Sequence, residues 1–502
     1  MRFRPGHVTL SGSILPLVII CVLLYTFFLQ FRSPSFCDPD SYYHIAVSRF
    51  IKDLGPHYPF HWAQFSTFKD SFADKDFFFH LTIVPFFFLT PDVVLAGKYA
   101  FMFLSAIFVA AYAFILRRYL PGPLAAVFLF LPFLSSVFTS YFLQLRSVML
   151  ANILAILGIY FIIKKRPRHL FFIAAVYSLT HISFFTLIVM VLVAEAIRYA
   201  FVKEFRGRNI YAVLLGTALG CLINPNFPHN LYAVYLNGIV LPLHAMSGVD
   251  FVSASEHMPF DTRLTFITNS GVFAALNVIA WAALLGRRKM SFASAVWGAA
   301  TNAYLILAFF GNRYWYQVNV LAFIFLASYA RDCVAEKGWR ANARGVCAAA
   351  GIFLIAVIPF IRPNNGQLAR FMEFSAARSG NLEDIGRWME KNIPAGETIY
   401  HSACADASYF MCLNPKDDYI NVADAIYMYH KYPGEFRLID ELMLGRIIPP
   451  HAAIRGVFKA RYGYVNGYEG PLMRQLYEYQ DDIKILYANR EGVVFEIVGK
   501  GS

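Results

Sequence analysis

Apolar residues run along this chain in blocks long enough to cross a bilayer, and the blocks stop near residue 361. A hydrocarbon core about 30 Å thick takes about 20 mostly apolar residues per helix. Stretches of that kind fall at 12–31, 92–116, 123–142, 147–163, 169–182, 184–201, 210–225, 268–285, 292–311, 315–330 and 345–361. The pattern predicts a polytopic α-helical membrane protein of about eleven transmembrane helices. It places a membrane domain at 1–361 and a soluble domain at 362–502. The first stretch has a basic flank but is long and lacks a small-residue cleavage pattern, so it reads as a retained span, with mature numbering from Met1.

Two of the connections are long, 32–91 and 226–267, and neither is low in complexity. Long ordered loops commonly carry function. In the first, Ser41 to Leu54 sets Tyr42, Ile45, Phe50 and Leu54 against Ser48, Arg49, Lys52 and Asp53, as in a helix lying at the membrane interface. Phe77 to Leu89 is apolar but too short to span, and is expected at the interface too. Beyond the last block the periodicity changes. Leu382 to Asn392 reads as an amphipathic helix, and Thr398 to His401, Tyr462 to Val465, Ile483 to Ala488 and Val493 to Val498 read as strands, so the tail is expected to be a small α/β domain. No internal repeat of the kind that marks many transporters is visible.

Composition agrees with the hydropathy pattern: 58% of residues are hydrophobic and 15% charged, against about 25% charged in ordinary soluble domains. The net charge of +12 does not imply a nucleic-acid partner, because the basic residues gather in one alternating set of short loops. These include Arg117, Arg118, Lys164, Lys165, Arg166, Arg168, Arg287, Arg288 and Lys289. By the positive-inside rule that set is cytoplasmic, which puts the N-terminus inside and the tail outside. The tail is then periplasmic, extracellular or ER-lumenal, with a bacterial or archaeal cell membrane the expected setting. Seven cysteines are scattered without metal-ligand spacing, and Cys404 and Cys412 in the tail are either a disulfide or a reduced pair.

The sharpest local feature is Cys37-Asp38-Pro39-Asp40-Ser41-Tyr42-Tyr43-His44, directly after the first span on the basic-poor side. A carboxylate there can serve as general base toward an acceptor hydroxyl, or hold a divalent cation against a phosphate. The plain alternative is that Asp40 caps the following helix. The second long loop offers another acid, Glu256, with His257 beside it and His229 and His244 earlier. A solvated loop glutamate is the competing reading. Arg146 and Arg313 are isolated cations on the same basic-poor side, suited to bidentate pairing with a phosphate or to snorkelling. His181, at a tight outer turn, reads as structural. Acids and arginines on one face suit transfer of a group from a lipid phosphate donor to an acceptor outside.

The segment Asp38-Pro39-Asp40-Ser41-Tyr42-Tyr43-His44 resembles the first-loop acidic motif of GT-C fold membrane glycosyltransferases, most closely the catalytic subunits of oligosaccharyltransferases. Ser253-Ala254-Ser255-Glu256-His257-Met258-Pro259 is similar to the Ser-Val-Ser-Glu-His-Gln-Pro motif of their late external loop, and Arg313-Tyr314 to their arginine facing the lipid-linked pyrophosphate. The resemblance covers the membrane region through about Tyr329. It implies a GT-C-like domain with Asp40 as catalytic acid and Asp38 its second-rank partner. Glu256 would lie near the acceptor or metal, Arg313 on the phosphate, and His257, His44 and Tyr43 around the acceptor. It implies a polyprenyl phosphate or pyrophosphate sugar donor in the membrane lipid, a glycan, lipid or protein acceptor, and inversion at the anomeric carbon.

Two departures from the family pattern matter. Gln144-Leu145-Arg146 stands where those subunits carry an acidic pair after the third helix, so a firmly bound divalent metal (Mg or Mn), with Asp40 and Glu256 as ligands, is not expected. Arg146 is expected to take over part of the metal's phosphate-neutralising role. The Trp-Trp-Asp-Tyr-Gly sequon-reading motif is also missing, its nearest counterpart being the unlike Cys404-Ala405-Asp406-Ala407-Ser408-Tyr409, which argues against asparagine glycosylation. The rival functional class is a transporter or lipid flippase, which predicts acids and broken helices near mid-membrane. A catalytically silent assembly protein is the third reading.

Overall fold

The structure is a computed structural model and describes residues 14–247, 260–286, 290–335, 343–467 and 470–499. Among these, five helices are long and apolar enough to cross a membrane: Ile14–Phe31 (α1), Val93–Leu116, Ile182–Val202, Phe292–Phe310 and Cys347–Asn392. Two bent pairs, Gly122–Leu134 with Ser136–Phe142 (90°) and Thr262–Thr268 with Ser270–Leu284 (80°), raise that to at most seven. The expected eleven stretches are helical, but several are shorter than a full crossing. Pro167–Thr180 has 14 residues, and Ser147–Ile163 and Gly207–Ile223 have 17 each. Trp315–Val334 reaches 20 residues, yet it is the buried centre of the bundle, where Gln317 and Asn319 lower its apolar character.

The helices face two environments. Along α1, Leu17, Leu24 and Phe28 are each about 60% exposed, a row of large apolar side chains that only lipid would cover. Inside, small residues set the spacing. An added Cβ on Gly216 or Gly220 would strike the backbone carbonyls of Phe171 and Ala175, so the Gly207–Ile223 helix lies backbone to backbone on Pro167–Thr180.

The second helix, Pro39–Leu54 (α2), starts where its sequence says it should. Asp38 is the N-cap residue, in an extended conformation (φ −151°, ψ 150°), and its side chain accepts the Ser41 N–H. Pro39 occupies the first turn with Asp40 behind it, Lys52 lies in the last turn, and Gly55 at φ 87° ends the helix. The cap is therefore Asp38 and not Asp40, which corrects the capping alternative and leaves the Asp40 carboxylate outside the cap. The inner face of α2 seats on Gly97, where Ile45 Cδ1 comes within 2.6 Å of the position a Cβ would take.

The tail holds a five-stranded sheet in the order β2-β1-β3-β5-β4, with β1 Thr398–His401, β2 Asp418–Tyr419, β3 Tyr462–Asn466, β4 Ile483–Ala488 and β5 Gly492–Ile497. β1 runs parallel to β2 and β3, and β5 antiparallel to β3 and β4. The four expected strands occur at the expected places, while the two-residue β2 was too short for any pattern to announce. One 50-residue helix, Ala343–Asn392, carries the chain from its last apolar segment into this sheet. The first long loop joins the sheet's edge: Tyr419 N–H donates to Trp62 O at 2.8 Å, and Gln64 and Phe65 donate to Tyr419 O and Ile420 O at 2.8 and 2.7 Å. His61 and Gln64 both bond Asp418, at 2.6 Å each. Loop and tail thus form one body through backbone pairing.

Candidate active site

A cavity of about 320 Å³ opens where the tail meets the helical bundle. Its walls come from α2, the loop at Lys75, the start of the Ser147–Ile163 helix, the turns at His181 and Arg313, the Asn237–Pro242 segment, and Ala423, Asp424 and Tyr427 of the tail. On α2 the residues Asp40, Tyr43 and His44 line it, at i, i+3 and i+4 of one helical face. Tyr427 is held there by a hydrogen bond from Asn237.

Asp40 sits in the first turn of α2, half-exposed, with Oδ2 2.5 Å from Nη2 of Arg146. Arg146 is the residue preceding the Ser147–Ile163 helix, so its extended backbone aims the side chain across the gap. Nη1 of Arg146 donates to Gln144 Oε1 at 3.1 Å, and the guanidinium lies 5.8 Å from the Tyr141 ring centroid. Arg313 enters from the facing wall on the turn Asn312–Tyr314. That turn is tied back by Tyr141, whose hydroxyl donates to Asn312 Oδ1 at 3.0 Å.

Asp38 is not among the lining residues. It is buried behind the cavity, where Oδ1 accepts the Ser41 hydroxyl at 2.5 Å and Ser41 Oγ in turn accepts the Leu145 N–H at 2.9 Å. Burial, with the nearby Asp40 charge, pushes the Asp38 carboxyl up to about 7. This network pins the start of α2 to the loop before Arg146. Asp38 thus lies behind the cavity and Asp40 at its wall. Glu256 and His257 lie outside the described residues. His229 begins a short helix, and His244 packs against Tyr429 with ring centroids 5.6 Å apart. His181 caps its turn, accepting the Ser183 N–H on Nδ1 at 3.0 Å, and also lines the cavity.

Sequence reasoning passed over the stretch Asp74-Lys75-Asp76, three charges in a row before Phe77. Lys75 lines the cavity and its Nζ is 2.6 Å from Asp76 Oδ2. Burial opposes the ammonium, but Asp76, Asp424 and Asp40 outweigh it and raise the Lys75 pKa. Burial likewise opposes the Asp76 carboxylate, which Lys75 nonetheless holds well below the usual range. The loop is fixed from below, Asp74 N–H donating to Asn226 Oδ1 and Asn224 Nδ2 donating to Asp74 O, each at 3.0 Å. The signal available in the sequence was the density of charge in a loop beside an apolar segment.

Cations from three separate elements, Lys75, Arg146 and Arg313, thus surround a space that Asp40 and Asp424 also reach, an arrangement that can take a phosphate and a polar acceptor side by side. Arg146 pairs with Asp40, and among the described residues no three His, Cys, Asp or Glu side chains gather for a metal.

No protein-family model matches the sequence, and no curated protein does. Solved structures do. The Archaeoglobus fulgidus oligosaccharyltransferase in its apo form superposes with a TM-score of 0.64 at 11% identity, over 93% of this chain and 71% of that one. ArnT from Cupriavidus metallidurans, solved bound to undecaprenyl phosphate, superposes with a TM-score of 0.58 at 11% identity, over 97% of this chain and 98% of that one. The fold is that of the GT-C membrane glycosyltransferases. A third structure, the archaeal AglB with an inhibitory peptide and a dolichol-phosphate, matches at a TM-score of 0.61 and 10% identity, over 91% of this chain and 69% of that one. The GT-C fold agrees with a multi-pass membrane protein, and its small sheet lies at the C-terminus. At the tail position compared above with the sequon-reading motif, the chain forms the helix Cys404–Leu413. Its Asp406 is buried and bonded to Arg378 at 2.7 Å, and both tail cysteines are free thiols.

Proposed function

We propose that the protein transfers a sugar or glycan from a polyprenyl-linked donor to an acceptor on the external face of the membrane. The carrying observation is the single cavity that brings the Asp40–Arg146 pair, Lys75 and Arg313 together against the tail. Support for a lipid-linked donor comes also from the neighbours, solved with undecaprenyl phosphate and with dolichol-phosphate. In this reading the donor phosphate lies among Lys75, Arg146 and Arg313. Their charges stabilise the phosphate as it leaves. Asp40 faces the sugar and acceptor, orienting the incoming hydroxyl or amine and countering the positive charge that develops at the anomeric carbon.

Direct displacement by the acceptor inverts the anomeric centre, and the tail, which contributes Ala423, Asp424 and Tyr427 to the wall, helps select what is accepted. The positive-inside pattern puts this cavity outside the cell or in the lumen. No step in this reading is routed through a metal.

The test is reconstitution of the full chain with polyprenyl phosphates and pyrophosphates bearing radiolabelled sugars, scored for label leaving the lipid. Transfer by the parent and its loss in Asp40→Asn are expected. Label that crosses the bilayer still attached to its lipid would instead identify a flippase. Transfer unchanged in Asp40→Asn removes that residue from the chemistry. NMR of the product's anomeric proton decides inversion.

A further inference from the structure

Behind the cavity wall lies a chain of three buried side chains that the reading above leaves unused. His44 Nδ1 is 2.7 Å from His80 Nε2, and His80 Nδ1 is 2.7 Å from Asp74 Oδ2. All three are at most 5% exposed. Three different pieces of backbone supply them: α2, the loop before Phe77, and the short helix Phe77–Ile83. Residues spaced this way in sequence form such a line only if something holds them there. Asp74 is pinned by Asn224 and Asn226, and the His44 ring packs edge-on to Phe79 with centroids 5.0 Å apart.

The chain has a direction. A carboxylate accepts, so His80 donates from Nδ1 to Asp74. A neutral imidazole carries one N–H, so His80 Nε2 must then accept, and His44 must donate to it from Nδ1. The nitrogen of His44 left for the cavity is therefore Nε2, bearing a lone pair. Among the described residues no protein group hydrogen-bonds to it. We propose that His44 is the base that takes the acceptor's proton, with His80 and Asp74 as positioning residues that fix its tautomer and receive the charge.

This inference rests on the glycosyl-transfer reading and assigns a step within it. The acceptor's oxygen or nitrogen bonds to the anomeric carbon as the carbon–oxygen bond to the phosphate breaks, and that electron pair leaves with the polyprenyl phosphate. The acceptor's proton goes to His44 Nε2. The Nδ1 proton of His44 passes to His80 Nε2, and the resulting imidazolium faces Asp74. Asp40, one helical turn away on the same face, already has Oδ2 engaged by Arg146, which suits it to orient the acceptor while His44 removes the proton. The ring is neutral before reaction: burial, and then the adjacent His80, hold the His44 pKa well below its ordinary value. Lys75 and Arg146 act in the same direction and Asp76 against it; the Tyr43 ring lies edge-on to His44, and Asp40, His181, Arg313, Asp424 and Tyr427 share the cavity lining.

Asp74→Asn tests this with little change in shape. Asp74 Oδ1 accepts the Asp76 N–H at 2.9 Å, so the introduced amide keeps its oxygen there and turns its N–H₂ toward His80. Every proton in the line then reverses, and His44 presents N–H instead of a lone pair to the cavity. In the full-length protein supplied with a polyprenyl phosphate bearing a radiolabelled hexose, the transfer rate should fall about 10²–10⁴-fold. Donor affinity should stay within about twofold, the size of change expected when only the proton-transfer step is touched. His44→Gln should match that loss, and stands as the second variant if Asp74→Asn folds poorly. Nitrogen-15 spectra of histidine-labelled protein, with His44 assigned by its absence in His44→Gln, should show an unprotonated Nε2 in the parent and a protonated one in Asp74→Asn. A parent spectrum with protonated Nε2 overturns the proposal, as does parental rate in both variants while the parent transfers. A parent that transfers from no polyprenyl-linked donor overturns the functional reading and takes this step with it.

Discussion

Two ion pairs on neighbouring stretches of this bundle look alike on paper and differ in what surrounds them. Arg198 and Glu195, toward the far end of the helix Phe185–Val202, are both 1% exposed and 3.3 Å apart. Glu195 also accepts the Arg206 N–H at 3.0 Å and the Asn209 amide at 2.8 Å, while Arg198 donates to Ile162 O at 3.0 Å and lies 4.7 Å from the Phe292 ring centroid. Those partners come from three other helices and the residue that precedes one of them, so the pair ties the bundle together. Asp40 and Arg146 are 42% and 20% exposed, line a cavity, and have Lys75 and Arg313 on the same walls. A charge enclosed by packing is structural, and a charge facing open volume with an excess of one sign around it is available to a ligand.

Substitution separates the two cases. Asp40→Asn should lower transfer by about 10²–10⁴-fold and leave the melting temperature near the parent's, and a variant that melts early would mean that Asp40 is structural after all. Glu195→Gln should do the reverse. Leaving Arg198 buried beside a neutral partner costs about 3–5 kcal/mol of stability, read as a lower Tm, while donor affinity in the surviving folded protein is unchanged. Loss of donor affinity in that variant would erase the distinction between the two pairs. Lys75→Met and Arg313→Ala should each weaken binding of polyprenyl phosphate by about 10- to 100-fold, or about 1.4–3 kcal/mol, measured by titration. Unaltered affinity in either removes that cation from the site.

A pH-dependent effect concerns Asp38, two residues from Asp40 and on the structural side of the comparison. Its pKa is raised from 3.8 to about 7, so between those values the folded chain keeps a proton that the unfolded chain releases. Its contribution to stability is therefore greatest below the lower value and is lost as pH rises through the window. Asp38→Asn, which retains a capping side chain, should abolish that slope. In thermal unfolding the parent should lose stability relative to the variant as pH rises across the window, and equal slopes would count against a buried carboxyl there.

Much of the architecture was readable because it is written locally. Apolar stretches long enough for helices, a helix over Ser41 to Leu54 and four of the strands depend on residues within a few positions of one another. Length and composition did not announce how these helices are placed. Trp315–Val334 is buried along most of its length, and Thr262–Thr268 meets Ser270–Leu284 at an 80° bend. At the site, Asp40, Tyr43, His44, Arg146 and Arg313 were legible as charged or polar groups on one face, and the cavity contains all five. Lys75, Asp76 and the line from Asp74 to His44 were not, because a loop lysine or histidine has no periodicity to mark it.

The sequence by itself determined that the chain is a multi-pass helical membrane protein with an α/β tail, since hydropathy is a property of short segments read one at a time. Only the tertiary structure decided which partners those charges have. It set Arg146 on Asp40, tied Ser41 to the Leu145 N–H, paired the loop at Trp62 with the sheet edge at Tyr419, and aligned Asp74, His80 and His44. Each of these joins groups far apart in the chain or separated by a turn. Their geometry depends on how helices and sheet pack, which no stretch of sequence records alone.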